Sequence, residues 1–345
     1  MTLNASGPIS IGGCTTGQSI AKELGLTTTA QHSLNCTSYR TLSGQASGAV
    51  SMNAFHGKSS ASYMCITTSG ATVYTCGNFK IAVWTGSGSY TVNSLGSGVG
   101  CFGSHISGLV IGGGGGSGFA GAGGGAISSS LMNSCTGSGG LTVTTGTRTV
   151  FVGAGGAGSG NGNTGQTTYV YYTACSRLCA APGTRPPCCG RGGTSGNGFS
   201  GGTSYSCATC CSQDCLGGGG GGTAATGGNA SGPNTAGNGG NGSTITSQFV
   251  SQYSSTTGVS TGGGGGGGAG VKFNVSAGLS GGIGGNCGNT GGNGQQLYNN
   301  TTLRSGVAGK ANTGGGGGGK EATNYCLGNG RNGGSGIVMI RWRYQ

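Results

Sequence analysis

A chain of 345 residues with a formal charge of +12 carries only three side-chain carboxylates, Glu23, Asp214 and Glu321, and three histidines, His32, His56 and His105. Hydrolases, phosphoryl-transfer enzymes and most metalloenzymes bring acids and imidazoles together, so this composition argues against an enzyme and against a cofactor. The basic residues are spread along the chain and not gathered as a nucleic-acid surface requires. No apolar run reaches the ~20 residues of a membrane span, so no membrane insertion is expected, and the charge reads as solubility with a mild attraction to anionic surfaces.

Residues 1–59 have ordinary glycine content and short-element signals. Ile9 and Ile11 alternate with polar neighbours as in a short strand. Thr15 or Thr16 is expected to cap a helix over 17–24, with Ile20 and Leu24 on one face and Gly25 ending it. Asn35 is expected to cap a second helix ending near Leu42, stopped by Gly44. Val50, Met52 and Phe55 form a third apolar group. A unit this small has a small core and is expected to complete its burial against a partner.

Residues 60–111 read as strands. Tyr63 and Cys65 alternate with polar residues, as do Val73 and Tyr74; Phe79, Ile81 and Val83 share a face opposite Trp84; Tyr90-Thr91-Val92 follows a Gly-Ser-Gly turn. From Gly112 onward, glycine tracts alternate with strands: Gly112–Gly116, Gly217–Gly222, Gly262–Gly268 and Gly314–Gly319. The chain holds 90 glycines and five prolines, a combined content that usually marks low complexity. Glycine does not recur strictly at every third residue, which excludes collagen. Apolar runs such as Leu109-Val110-Ile111 and Val150-Phe151-Val152 oppose disorder.

Ordering a glycine costs about 1–2 kcal/mol of backbone entropy and buries no side chain. Lateral packing offsets that. Threefold polyglycine helices have no internal hydrogen bonds, and without Cβ atoms several can lie side by side and bond through their backbones. The tracts are expected to pack as such a bundle flanked by sheets; flexible linkers are the alternative. The last segment, 336–344, is the clearest strand. Ile337, Met339, Arg341 and Arg343 fall on one face, and Val338, Ile340, Trp342 and Tyr344 on the other.

The residues Leu3-Asn4-Ala5-Ser6-Gly7-Pro8-Ile9-Ser10, Gly17-Gln18-Ser19-Ile20, Glu23-Leu24-Gly25, Ser33-Leu34-Asn35, Arg40-Thr41-Leu42 and Phe55-His56-Gly57-Lys58-Ser59 resemble the opening module of many phage tail proteins. The region from about Lys80 onward resembles a glycine-rich domain common in phage fibre proteins. Tyr90-Thr91-Val92, Leu109-Val110-Ile111 running into Gly112–Gly116, the run 150–156 and the run 333–341 carry that likeness. More remotely, it is similar to the glycine-rich region of some animal receptor kinases and to polyglycine-helix adhesins. The resemblance implies a mostly β fold: a small α+β N-terminal docking module, 1–59, then a glycine-rich β-sandwich with packed polyglycine helices, 60–345. It also implies a virion protein, a tail fibre or adhesin, with other tail or baseplate proteins as partners, homo-oligomeric with a trimer as one option. Its expected target is a host glycan or envelope protein. Met1 to Gly13 show no basic or long apolar leader, yet 16 cysteines suit oxidising surroundings. Assembly in the host cytoplasm and release by lysis reconcile the two.

The stretch 175–215 departs from that family. Cys175, Cys179, Cys188, Cys189, Cys207, Cys210, Cys211 and Cys215 crowd into it. Disulfides are the favoured reading, and a zinc site the alternative, since Cys207 and Cys210 have metal-ligand spacing. Tyr169, Tyr171, Tyr172, Phe199 and Tyr205 accompany Arg177, Arg185 and Arg191; of these, Tyr171, Tyr172, Arg177, Arg185, Arg191 and Tyr205 are candidate host contacts. The other reading is that the tyrosines line a strand. Gly314-x4-Gly319-Lys320 resembles a phosphate loop, but Glu321 stands where Ser or Thr is needed.

Overall fold

The computed structural model describes residues 2–60, 63–97, 103–132, 139–187, 190–205, 216–231, 235–243, 266–267, 282–285, 296–298, 302–304, 306–319 and 330–344. The N-terminal module contains α1 (Ile20–Glu23), α2 (Thr37–Ser43) and a single 3-10 turn, Met52–Phe55. Both helix starts differ from expectation. Ser19 caps α1 by accepting from the Lys22 amide at 3.1 Å. Gly17 lies at φ +78°, a left-handed conformation that cannot open a helix. Cys36 precedes α2 without a side-chain cap, and the Asn35 carboxamide instead accepts from Arg40. Gly44 ends α2 at φ 76°, as its position implied. Leu3, Ile20, Tyr39, Leu42 and Phe55 form a core cluster of their own. The Leu3 amide bonds Lys58 O at 2.8 Å and closes the module on itself. Glu23 is buried beneath the exit and accepts from the Ser60 amide at 2.8 Å.

The strands are β1 (Cys65–Ser69), β2 (Thr72–Cys76), β3 (Phe79–Trp84), β4 (Gly88–Ser94), β5 (His105–Ile111), β6 (Ile127–Ser130), β7 (Leu141–Thr142), β8 (Gly146–Phe151), β9 (Thr168–Tyr171), β10 (Arg177–Ala180), β11 (Gln296–Tyr298), β12 (Thr302–Arg304) and β13 (Ile337–Arg343). Two larger sheets pair antiparallel neighbours in the orders β1-β4-β8-β9-β10 and β2-β3-β13-β5-β6, with β7 added to β5; β11 and β12 form a separate hairpin. They pack face to face. Ala82, Trp84, Ile106, Val110, Val338, Ile340 and Trp342 from one sheet meet Tyr90, Val92, Val150, Val170 and Ala180 from the other. This is a β-sandwich.

The alternation read in 336–344 holds: Val338, Ile340 and Trp342 enter this core, while Ile337 and Met339 join Ile81, Val83, Leu109 and Ile111 in a second cluster on the opposite face. Both faces of the central strands β3, β13 and β5 are therefore buried, which is why these strands read as nearly continuous apolar runs. Arg341 is buried on the second face with its guanidinium 3.9 Å from the Phe79 ring centroid.

Beyond the sandwich the strands continue as polyglycine. β5 runs into 112–117, which returns as 120–126 into β6. The amides of Gly112 and Gly115 bond Ala126 O and Gly123 O; those of Gly113 and Gly116 bond Gln166 O and Asn163 O; those of Gly114 and Ser117 bond Gly334 O and Arg331 O. Residues three apart address the same neighbour, which is the period of a threefold helix. The carbonyls of Gly113, Gly114 and Gly115 accept from Gly183, Gly156 and Gly317. Helix 112–117 thus touches six neighbouring segments, three through its amides and three through its carbonyls.

Segment 120–126 repeats the pattern. Gly121 and Gly124 donate to Gly218 and Gly221, Ala122 and Gly125 to Gly317 and Gly314, and Gly123 and Ala126 to Thr184 and Ala181. The expected bundle is therefore present as a lattice. Its interior helices include the glycine tracts 112–116, 217–222 and 314–319; of the tract 262–268 only Gly266 and Gly267 are described, and the rest lies outside the described residues. Its outer helices show glycine facing inward and other residues outward, as in 153–158, where Gly153 and Gly156 are buried and Ala154 and Ala157 exposed.

Ser117 is a fully buried polar residue inside the lattice. Its hydroxyl donates to Gly318 O at 2.6 Å and accepts from the Arg331 amide at 2.8 Å. Ser117→Ala strands both backbone groups, and an expected loss of about 1–3 kcal/mol should appear in denaturant unfolding.

Candidate functional site

The sequence-predicted contacts fall at one side of the five-stranded sheet and on the adjoining lattice. β9 alternates: Thr168 and Val170 are buried, while Tyr169 and Tyr171 face outward and are half-buried. The register sets Phe151 and Cys179 on either side of Tyr169, and Arg177 beside Tyr171. Tyr169 stacks on Phe151 with ring centroids 5.1 Å apart and meets Tyr171 edge-on at 5.7 Å. The Arg177 guanidinium lies 5.1 Å from the Tyr169 centroid. Sequence reasoning had included Tyr171 and Arg177 but passed over Phe151, which lies in the neighbouring strand. Its position was legible only as an outward residue after buried Val150.

Tyr172 is half-buried and packs against the main core. Arg185 and Arg191 are exposed, but they sit on lattice segments and not on the sheet. Tyr205 is exposed and bridges to Leu216 through its amide at 3.0 Å.

The described part of 175–215, residues 175–187 and 190–205, is not a free loop. It contributes β10, and Gly183, Thr184, Gly192, Gly193 and Gly196 bond into the lattice. Glycine spaced between other residues suffices there, because only inward positions must lack a Cβ. Cys175 and Cys179 are exposed thiols, unpaired with any other described cysteine. Cys188, Cys189, Cys207, Cys210, Cys211 and Cys215 lie outside the described residues.

Two hydroxyl rows adjoin the aromatic group on the same face. Thr67, Thr91 and Thr147 align across β1, β4 and β8, and Ser69, Ser89 and Thr149 align in the next row. Thr91 and Thr147 hydroxyls are 2.9 Å apart. Beneath them, Tyr90 is fully buried and donates to Tyr171 O at 2.9 Å, tying β4 to the aromatic strand. Burial pushes its phenol well above 10, and the nearby Arg148 charge opposes this only in part. The folded chain therefore holds this proton where the unfolded chain releases it. Stability is expected to be level below pH 10 and to fall above it, with a shallower fall in Tyr90→Phe as read by unfolding at alkaline pH.

The phosphate-loop likeness has no counterpart in geometry. Gly314, Gly317 and Gly318 donate their amides to Ser335, Gly115 and Val307 inside the lattice. Among the described residues no group of three His, Cys, Asp or Glu could hold a metal, and no helix is long and apolar enough to cross a membrane.

The family model of the glycine-rich domain matches residues 85–343. The chain belongs to the glycine-rich domain family. The match spans β4 through β13, so it takes in the lattice and most of the sandwich. β1, β2, β3 and the N-terminal module precede it. No curated protein matches the chain at a significant level. Membership in the glycine-rich domain family accounts for the tracts and their flanking strands.

Proposed function

We propose that this chain is a structural, non-enzymatic component of a bacteriophage tail, a fibre or adhesin. Residues 1–59 dock it to baseplate or tail proteins, and the glycine-rich domain projects towards the host. The supporting observation is the lattice, in which threefold helices bond laterally to several neighbours at once. Such a body is stiff along its length without a large side-chain core, which suits an appendage that must transmit position and withstand load. The likeness of residues 2–59 to tail docking modules supplies the context, and the separate core of that module supports an independent docking unit. The chain is read as homo-oligomeric in the virion, made in the host cytoplasm and released by lysis.

A second reading is an architectural virion protein with no receptor contact, since a rigid lattice also serves between other subunits. Cryo-electron microscopy of the intact particle separates the two. Density for residues 63–344 at the outermost tip supports the adhesin. Burial among tail or capsid subunits supports the scaffold, and absence from the particle refutes both. Deleting 175–215 is a poor probe of adsorption, because it removes β10 and lattice segments; substitutions on the sheet face are cleaner.

A further inference from the structure

We infer that the outer face of the five-stranded sheet binds a carboxylated polysaccharide, with Arg177 as the receptor for its carboxylates. Arg177 is exposed, and its guanidinium rests on Tyr169, which is itself stacked on Phe151. That stack fixes a long side chain which would otherwise lose much rotamer freedom on binding. The guanidinium is exposed, and its planar fork of N–H donors can take a carboxylate through two parallel hydrogen bonds.

No carboxylate is supplied from within the described chain. Its only described side-chain carboxylate is Glu23, which is engaged by Ser59 and Ser60 in the N-terminal module. The phenol hydroxyls of Tyr169 and Tyr171 have no partner among the described residues, and their rings lie in contact beside Arg177.

The rest of the face fits a sugar polymer. The rows Thr67, Thr91, Thr147 and Ser69, Ser89, Thr149 run across the strands from β1 to β8, and the Phe151, Tyr169 and Arg177 group continues from β8 to β10. Neighbouring strands lie about 4.8 Å apart, so hydroxyls recur at a short, regular interval along this line. Each hydroxyl both donates and accepts, as sugar hydroxyls do. The chain's +12 charge favours an anionic polymer over a neutral one. The inference rests on the adhesin reading only for the biological source of the polysaccharide.

The test is affinity electrophoresis of the full chain in gels holding polygalacturonate, its methyl ester or dextran, at about 0.15 M salt to screen attraction by net charge alone. Wild type should be retarded by polygalacturonate and little by the two uncharged polymers. Arg177→Gln should weaken that retardation about ten-fold or more, the size of one lost charge-assisted pair. Lys310→Ala, which removes the same charge from an exposed lattice position, should leave it unchanged. Matching melting temperatures verify that each variant is folded. Wild type that runs unretarded, Arg177→Gln that binds as wild type, or equal losses in Arg177→Gln and Lys310→Ala would each overturn the inference. Binding by a chain that the particle map places among inner subunits would leave this surface standing and remove the adhesin. A chain at the tip that ignores polygalacturonate would do the reverse.

Discussion

Gly114→Ala should destabilise the folded chain by about 3 kcal/mol or more, near the upper end for a single overpacking substitution. A Cβ at this position would lie 2.1 Å from Gly315 O and 2.6 Å from Gly314 O. Both obstacles are backbone, so no side chain can swing aside. Moving segment 314–319 outward is no escape, because its amides and carbonyls also serve other neighbours: Gly317 donates to Gly115, and Gly314 accepts from Gly125. The same argument holds at Gly220, where the Cβ would sit 2.0 Å from Ala122 O. Ala154→Ser on the exposed side of an outer helix is the control, with an expected change within about 0.5 kcal/mol. Denaturant unfolding followed by circular dichroism reads all three. Equal stability of Gly114→Ala and wild type would mean that the helices are not in contact.

Ile340→Ala should cost about 2–5 kcal/mol, and a chain ending at Gly336 should fail to form the sandwich at all. β13 is the middle strand, bonded to β3 on one side and β5 on the other. Its residues Ile337, Val338, Met339 and Ile340 are each 0% exposed, and they serve two separate clusters. Removing a central strand leaves two edges and two opened cores. An edge strand would be missed far less. Loss of the near-ultraviolet signal of Trp84 in the truncated chain is the expected reading, and a native-like spectrum would contradict the topology.

The sandwich was legible wherever apolar alternation was strong. In 337–342 the two faces could be assigned from sequence, and both assignments stand. The bundle was legible in its interior, where unbroken glycine leaves packing of backbones as the one means of offsetting entropy. Its outer helices were harder to see. In 237–242 buried glycines alternate with exposed Asn238 and Asn241, a period of three that resembles a loop composition unless it is read as one face of a helix. The same spacing hid the lattice segments within 175–215.

The helix starts were misplaced for a local reason. Several hydroxyls stood near the first, and only the left-handed backbone at Gly17 made Ser19 the cap. The aromatic group on the outer face was half visible. Tyr169, Tyr171 and Arg177 lie close in sequence, but Phe151 reaches Tyr169 only through pairing of β8 with β9. Residue spacing within one strand carries no information about which strand lies beside it.

Amide hydrogen exchange across the interior tracts tests the central claim most directly, that runs without side chains are held rigid by bonds between neighbouring backbones. Amides of Gly113–Gly116, Gly123–Gly125 and Gly219–Gly221 all donate to other segments. They should exchange at least about a thousand-fold more slowly than in a free peptide, and as slowly as those of β13, because opening them requires global unfolding. Exchange at free-peptide rates in these tracts, with β13 still protected, would show a sandwich trailing loose glycine loops and would contradict the lattice.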